Sequence, residues 1–407
     1  MTPRPPALEI REPEGGELLG YAGVDSTVCG RARGGLRMVP DLSSDEIEKA
    51  AHAMTLKYGF LGLPQGGGKA GVFGDPEAPP GQRTAALSRF ARAARVLLRE
   101  RRYVPDADMG TTGFEIQQML KSIGLSVARR EYRGNHSGDY TAATVFASAR
   151  AAAALQGLEW RRCRVVIEGF GKVGAPLARL SVQAGARVVA VSTRHGGLYQ
   201  PEGIDIGKLI DALQRSARRG LDLYRQAVPG ASALPLYELK ALPADVFCPC
   251  ARHDSVRLED VSRLPAAVIS CGANSPITPE AEQALWARGV LCVPDFVANC
   301  GGVLGGTMEF AGWRHAEILA FCEEVFGERV RELLESGRRL ARPVRDVAEQ
   351  QALRRFAAVK REAERGSWFG GLSRAGLEAY RHGLIPERLM RRLSAGYFRR
   401  AAAGTPD

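Results

Sequence analysis

Val165-Val166-Ile167-Glu168-Gly169-Phe170-Gly171-Lys172-Val173-Gly174 is the stretch that decides the fold. The Val/Ile run reads as a buried strand, and the glycines that follow stand at G-x-G-x-x-G spacing. Ala175 to Gln183 then reads as a helix and Arg187 to Val191 as a second strand. A glycine triplet alone is a weak signal; between a strand and a helix it marks a dinucleotide-binding βαβ unit. Gly169 permits the tight turn, Gly171 lets the pyrophosphate approach the backbone, and Gly174 lets helix and strand pack closely. Lys172 and Val173 complete the loop, and the helix start offers its N–H groups to the phosphates.

Working outward, short β-rich runs alternate with helices. They lie at Arg164–Glu168, Arg187–Val191, Asp245–Cys248, Ala267–Ser270 and Leu291–Val293. This alternation predicts a doubly wound parallel sheet. Thr278-Pro279-Glu280 is a helix start, and from about Ala316 the chain reads as mostly helical. In the first part, Ser43 and Glu46 suggest a capping box. It opens a helix with Ile47, Ala50, Ala51 and Met54 on one face, ending near Lys57. Leu87 to Leu98 and Phe114 to Ile123 read as two further helices. The expected architecture is α/β, with a cleft between two domains. A substrate-binding and oligomerisation domain spans 1–150 and is completed by helices in 336–407. A Rossmann-type NAD(P)-binding domain spans 151–335.

A chain of 407 residues is long for one core and comfortable for two. No apolar run approaches the roughly 20 residues that span a bilayer, and the N-terminus lacks a signal-type apolar stretch. A cytoplasmic protein without a membrane partner is therefore expected. The net charge of +11 is carried by arginines spread over alanine-rich helices, with few aromatics, so no nucleic-acid partner is expected. None of the eight cysteines forms a C-x-x-C pair, and the six histidines are scattered along the chain without ligand spacing. The expectation is neither a disulfide nor a metal.

Leu63-Pro64-Gln65-Gly66-Gly67-Gly68-Lys69-Ala70-Gly71 carries the chemistry. Three glycines suggest a tight path that no side chain could follow, delivering Lys69 to a bordering space. The chain uses arginine wherever a generic cation suffices, and it holds only eight lysines. A lysine so placed is a candidate for work arginine cannot do, because a desolvated lysine can lose its proton.

These segments, in order, are similar to the glutamate/leucine/phenylalanine/valine dehydrogenase family. The resemblance runs from about Gly30 to Phe310. It rests on Gly34-Gly35-Leu36-Arg37-Met38, Met54-Thr55-Leu56-Lys57, Gly66 to Lys69, Val104 to Thr111, Gly169 to Gly174, Gly272 to Ala281 and Pro294 to Val303. It implies reversible oxidative deamination: an L-amino acid, NAD(P)⁺ and water give a 2-oxo acid, ammonia and NAD(P)H. Lys69 and Asp108 resemble the catalytic lysine and aspartate, and Lys57 the lysine that holds the substrate α-carboxylate. Thr144 resembles a threonine near the nicotinamide amide, and Asn274 and Asn299 lie in segments that line the cofactor. The family also implies a homo-oligomer.

Three positions depart from the family pattern. Arg33 precedes Gly34 and Gly35, where glutamate-specific members carry a lysine for the side-chain carboxylate. Gly306 replaces a serine, and Cys271 replaces an acid. An unpaired arginine in an apolar pocket would be costly, which favours a glutamate-like substrate held by Arg33 beside Gly34 and Gly35. A leucine-, valine- or phenylalanine-type enzyme and a quiet dinucleotide-binding paralogue are the alternatives. The second Rossmann strand ends in Val191-Ser192-Thr193-Arg194 without the acid that holds the ribose of NAD. Thr193 and Arg194 therefore favour NADP slightly over NAD.

Overall fold

The structure is a computed structural model that describes residues 4–13, 15–127, 136–215, 221–365 and 376–403. It divides into two compact units. The first joins Met1–Asn135, Phe310–Trp313 and Gln350–Ala401; the second joins His136–Glu309 and Arg314–Glu349 with the last residues.

The first unit is built on a five-stranded sheet. Its strands are β1 (Leu8–Arg11), β2 (Leu18–Val24), β3 (Ala32–Val39), β4 (Gly66–Phe73) and β5 (Tyr103–Ala107), in the order β1-β2-β4-β3-β5. β3 runs parallel to both β4 and β5, whereas β2 is antiparallel to β4. Side chains alternate between the faces of a sheet. Leu36, Met38, Ala70 and Val72 enter one core with Leu87, Phe90 and Ile116, which come from α2 (Pro80–Ala93) and α4 (Gly113–Ser122); the short α3 (Arg95–Arg99) lies between those helices. The alternate positions Gly35, Arg37, Gly67 and Lys69 take the opposite face. There α1 (Ser44–Leu61) lies so close that a Cβ on Gly67 would stand 2.3 Å from the Thr55 nitrogen.

Two local expectations change here. The glycines before Lys69 form no turn: they are strand residues at the middle of the sheet, and none of them has a positive φ. Their missing side chains admit α1 and the neighbouring chain, not an unusual backbone path. Helix α1 starts as expected, with the Ser43 hydroxyl accepting from the Glu46 N–H at 3.2 Å, but it continues past Lys57 to Leu61. Gly62, at φ 62°, ends it.

The second unit opens with α5 (Ser137–Leu155) and holds a seven-stranded sheet. The strands are β6 (Arg164–Glu168), β7 (Arg187–Thr193), β8 (Gly196–Tyr199), β9 (Ser232–Leu234), β10 (Val246–Pro249), β11 (Val268–Ser270) and β12 (Leu291–Val293). Their order is β12-β11-β10-β6-β7-β8-β9. The five expected strands are parallel, and β8 and β9 add an antiparallel edge. The helices are α6 (Gly174–Gln183), α7 (Ile206–Arg215), α8 (Leu221–Ala227), α9 (Leu258–Val261), α10 (Pro279–Ala287), α11 (Asp295–Ala298), α12 (Gly301–Phe310), α13 (His315–Phe321) and α14 (Gly327–Arg339). Helix α5 packs on the sheet, with the Ser270 hydroxyl donating to the Val145 carbonyl at 3.0 Å. The division therefore falls at 135/136, ahead of the 150/151 read from the sequence. Most of α15 (Val344–Glu364) and α16 (Glu387–Ala403) return to the first unit; a Cβ on Gly59 would stand 2.2 Å from the Ala352 carbonyl. Among the described residues, no helix is long and apolar enough to cross a membrane.

Candidate active site

In the first unit, Lys69 and Asp108 meet across a strand that lies between them. Lys69 sits on β4 and Asp108 just past β5, and β3 separates the two. Lys69 Nζ is nonetheless 2.5 Å from Asp108 Oδ2. Gly35 makes this possible. A Cβ there would stand 2.7 Å from Asp108 Cβ, so any side chain would block the span. Arg37, two residues along the same face, donates from Nε to Asp108 Oδ2 at 3.2 Å and also pairs with Glu46. The Asp108 N–H donates to the Thr111 hydroxyl at 3.0 Å, and that hydroxyl donates to the Leu36 carbonyl at 2.7 Å. The aspartate is thus held by its backbone as well as its carboxylate.

Burial is the largest influence on Lys69, which is only 4% exposed. Burial and the neighbouring Arg37 hold its pKa below the usual lysine value, against the opposite pull of Asp108. Burial alone would raise the Asp108 pKa, but Lys69 and Arg37 outweigh it and keep the carboxylate far below its usual range. Asp108 therefore stays ionised, and Lys69 is the member of the pair poised to exchange a proton. Arg37 and Thr111 were not assigned roles from the sequence. Arg37 lies within a quoted motif, yet nothing local shows that its partner stands 71 residues away.

Arg33 is not the unpaired cation that the sequence argument required. Its Nε and Nη2 donate to both carboxylate oxygens of Asp106, at 2.5 and 2.8 Å, and both side chains are about a third exposed. Gly34 packs against β4 and accepts from the Tyr103 hydroxyl at 2.9 Å. Lys57 is buried in α1, the helix that lies on β4 at Gly67.

In the second unit, the glycine loop has the expected form. Gly169 has φ 97°, and a Cβ on Gly174 would collide with the Gly169 carbonyl at 1.9 Å. A Cβ on Gly171 would meet nothing, which leaves that backbone approachable. Ser192 at the end of β7 ties the loop down, accepting from the Gly169 N–H at 3.0 Å on its hydroxyl and from the Phe170 N–H at 2.6 Å on its carbonyl. Val173 precedes α6, and the Lys172 backbone lies against Gly138. Beyond Ser192, Thr193 is half-buried and Arg194 is exposed beside His195, to whose Nε2 it donates at 3.0 Å.

Asn299 Nδ2 donates to the Ala273 carbonyl at 2.9 Å and to Asn274 Oδ1 at 3.1 Å. Asn299 Oδ1 is buried and accepts nothing from the described residues. The orphaned Asn299 acceptor and the approachable backbone at Gly171 both suit a bound nicotinamide dinucleotide. Asp295 holds the neighbouring turn, accepting from the Ser275 N–H at 2.9 Å, while Arg345 pairs with Asp295 at 3.0 Å. Thr144 is fully buried, and its hydroxyl accepts from the Gly301 N–H at 3.0 Å, pinning α12 to α5. Thr141, one turn earlier, is half-buried.

Residues 135–363 match the Glutamate/Leucine/Phenylalanine/Valine dehydrogenase family, and residues 8–124 match the Glu/Leu/Phe/Val dehydrogenase, dimerisation domain. The chain belongs to the glutamate/leucine/phenylalanine/valine dehydrogenase family. This amino-acid dehydrogenase is 30% identical over 330 residues to the NAD-specific glutamate dehydrogenase of Staphylococcus aureus strain COL, covering 78% of this chain and 77% of the relative. It is 32% identical over 307 residues to the glutamate dehydrogenase of Thermotoga maritima, covering 72% of each. Among solved structures, the dehydrogenase is similar to the hetero-hexameric glutamate dehydrogenase of Thermus thermophilus in its Leu-bound form. The TM-score there is 0.72 at 25% identity, over 90% of both chains.

Proposed function

We propose that this dehydrogenase deaminates L-glutamate or a closely similar acidic amino acid, reversibly, with NAD(P). The observation that carries the mechanism is the buried Lys69–Asp108 pair spanning Gly35. The glutamate dehydrogenases to which the chain is similar support the substrate. Their printed specificity for NAD is theirs; in this chain the strand end Thr193-Arg194 has no carboxylate, which supports acceptance of NADP as well.

The nicotinamide, when bound, takes the hydride from the substrate α-carbon. The remaining steps fall to the chain. Lys57 holds the α-carboxylate. Asp108, kept ionised by Lys69 and Arg37, attracts and orients the substrate nitrogen. Water attacks the carbon of the resulting imine, and neutral Lys69 takes the proton released as the C–O bond forms. Lys69 then returns that proton to the carbinolamine nitrogen; as the C–N bond breaks, Lys69 takes the proton of the carbinol hydroxyl, the C=O bond forms, and ammonia leaves a 2-oxo acid. Arg33, fixed by Asp106, shares its guanidinium with the substrate's side-chain carboxylate. A homo-oligomer assembled through the first unit is part of this proposal, supported by the dimerisation-domain match over residues 8–124; light scattering on the purified protein tests it.

The deciding experiment is reductive amination with ammonia, using 2-oxoglutarate and the 2-oxo acids of leucine, valine and phenylalanine, each with NADH and NADPH. Turnover of 2-oxoglutarate at least tenfold above the others supports the proposal. Turnover of only the apolar acids refutes the role of Arg33, and turnover of none refutes the enzyme reading.

A further inference from the structure

Three donor side chains converge at the start of α5, away from the Lys69–Asp108 pair. His136 Nδ1 lies 3.5 Å from Asp139 Oδ2, and His315 Nε2, at the start of α13, lies 3.8 Å from the same oxygen. The donor atoms all lie within 4.8 Å of one another. Spacing along the chain could not show this, because His315 comes from the far end of the second unit.

The hydrogen bonds around the cluster settle which way His315 faces. The Tyr140 hydroxyl donates to Glu309 Oε1 at 2.6 Å. Its oxygen must then accept from His315 Nδ1, 3.1 Å away. This puts a proton on Nδ1 and turns Nε2 toward the Asp139 carboxylate. The two can approach closely only with a positive charge between them, a proton or a metal ion. A histidine oriented through its second nitrogen by a fixed acceptor is the usual support behind a metal ligand. The other Asp139 oxygen faces Arg179 Nη2 at 4.0 Å, which leaves Oδ2 for the histidines. The two imidazoles lie against each other, with ring centroids 4.3 Å apart.

We propose that His136, Asp139 and His315 form a site for one divalent cation of the zinc class. Two imidazoles and a carboxylate suit such an ion, with an outer position left to water. Around a tetrahedral ion at bonds of about 2.0–2.1 Å, donors stand about 3.4 Å apart. Two separations here are already close to that. The third closes by rotation of the exposed His136. Gly138, in the same turn, abuts the Lys172 backbone, with a Cβ there only 2.4 Å from the Lys172 carbonyl. The ion would therefore clamp the turn on which the dinucleotide loop rests.

The test is titration of the purified, metal-stripped full-length protein with Co²⁺, read by visible absorption, and with Zn²⁺ in competition with a chromophoric chelator. The expected result is one ion per chain, with affinity lowered at least tenfold in His136→Ala, in His315→Ala and in Asp139→Asn. Cys29→Ser, which removes the exposed thiol, should bind as wild type. Circular dichroism and NADH fluorescence confirm that each variant is folded. Unchanged affinity and spectrum in the folded His136→Ala/His315→Ala double variant would overturn the proposal. So would a wild-type protein that binds no ion up to millimolar concentration.

Discussion

Replacing Gly35 with alanine places a methyl group 2.7 Å from Asp108 Cβ, 2.9 Å from its Cγ and 3.1 Å from Oδ2. Ordinary carbon contacts begin near 3.5 Å, so the Asp108 side chain must move away by about 0.7–1 Å. Its bond to Lys69 is 2.5 Å long and crosses directly over Gly35. That bond breaks, whereas the backbone anchors through Thr111 can survive. Overpacking of this size costs about 1–3 kcal/mol, which lowers Tm by several degrees in a unit of this size. A displacement of about 1 Å at the reacting groups costs roughly 10²-fold in rate. The pH profile moves as well. Asp108 raises the Lys69 pKa, so its withdrawal lets that pKa fall further. If neutral Lys69 is the base, the rising limb of kcat/KM for deamination shifts to lower pH while its plateau drops. The assay is steady-state deamination across pH 6–10, with calorimetry on the same samples. Gly81→Ala is the control: nothing lies within 4 Å of a Cβ there, so rate and profile should match wild type. A folded Gly35→Ala protein with full kcat and an unmoved limb would refute the claim that this glycine holds open the catalytic contact.

Arg37→Met should shift the same limb the other way, to higher pH, because a like charge beside Lys69 is removed; an unmoved limb would show that Arg37 does not tune the lysine. Leaving Glu46 and Asp108 without this partner should also cost about 3–5 kcal/mol in chemical denaturation. Asp108 is held below its unfolded value, so its contribution to stability is present above about pH 4 and is lost as pH falls below that; Asp108→Asn should flatten this part of the acid unfolding curve. Asp106→Ala releases Arg33 from its carboxylate partner and should lower KM for 2-oxoglutarate severalfold, while Arg33→Leu should raise it at least tenfold. Thr144→Val leaves the buried Gly301 N–H without its acceptor and should cost about 1–3 kcal/mol with little change in KM for the dinucleotide. Arg194→Ala should raise KM for NADPH about tenfold and leave NADH unaffected.

What the sequence discloses depends on how far apart the interacting residues lie. The glycine loop, its flanking strand and helix, and the cap at Thr278 are legible because each is a local pattern, and the structure places them within a residue or two. Edge strands such as β9, three residues long and largely exposed, have no apolar period to reveal them. The run before Lys69 fails in a more instructive way. Three glycines carry no side-chain alternation, so their strand period is invisible and a turn is the natural reading. Their purpose becomes clear only when α1 is seen lying on them. The same holds for Gly35: nothing near it in sequence indicates that a lysine from one neighbouring strand and an aspartate beyond the other must meet above it. Arg33 and Asp106 meet diagonally across the parallel register of β3 with β5, which sets Arg33 opposite Val104 and Asp106 opposite Gly35. That pairing changes the electrostatics on which a substrate argument was built. A charged residue read alone suggests what it might bind, and the strand beside it determines what it already holds. In this enzyme the proposed catalytic residues Lys69 and Asp108 are thus recognisable one at a time, whereas their protonation and alignment belong to the register of one sheet. Substitutions that shift that register by even a fraction of a residue should therefore abolish activity before they abolish folding.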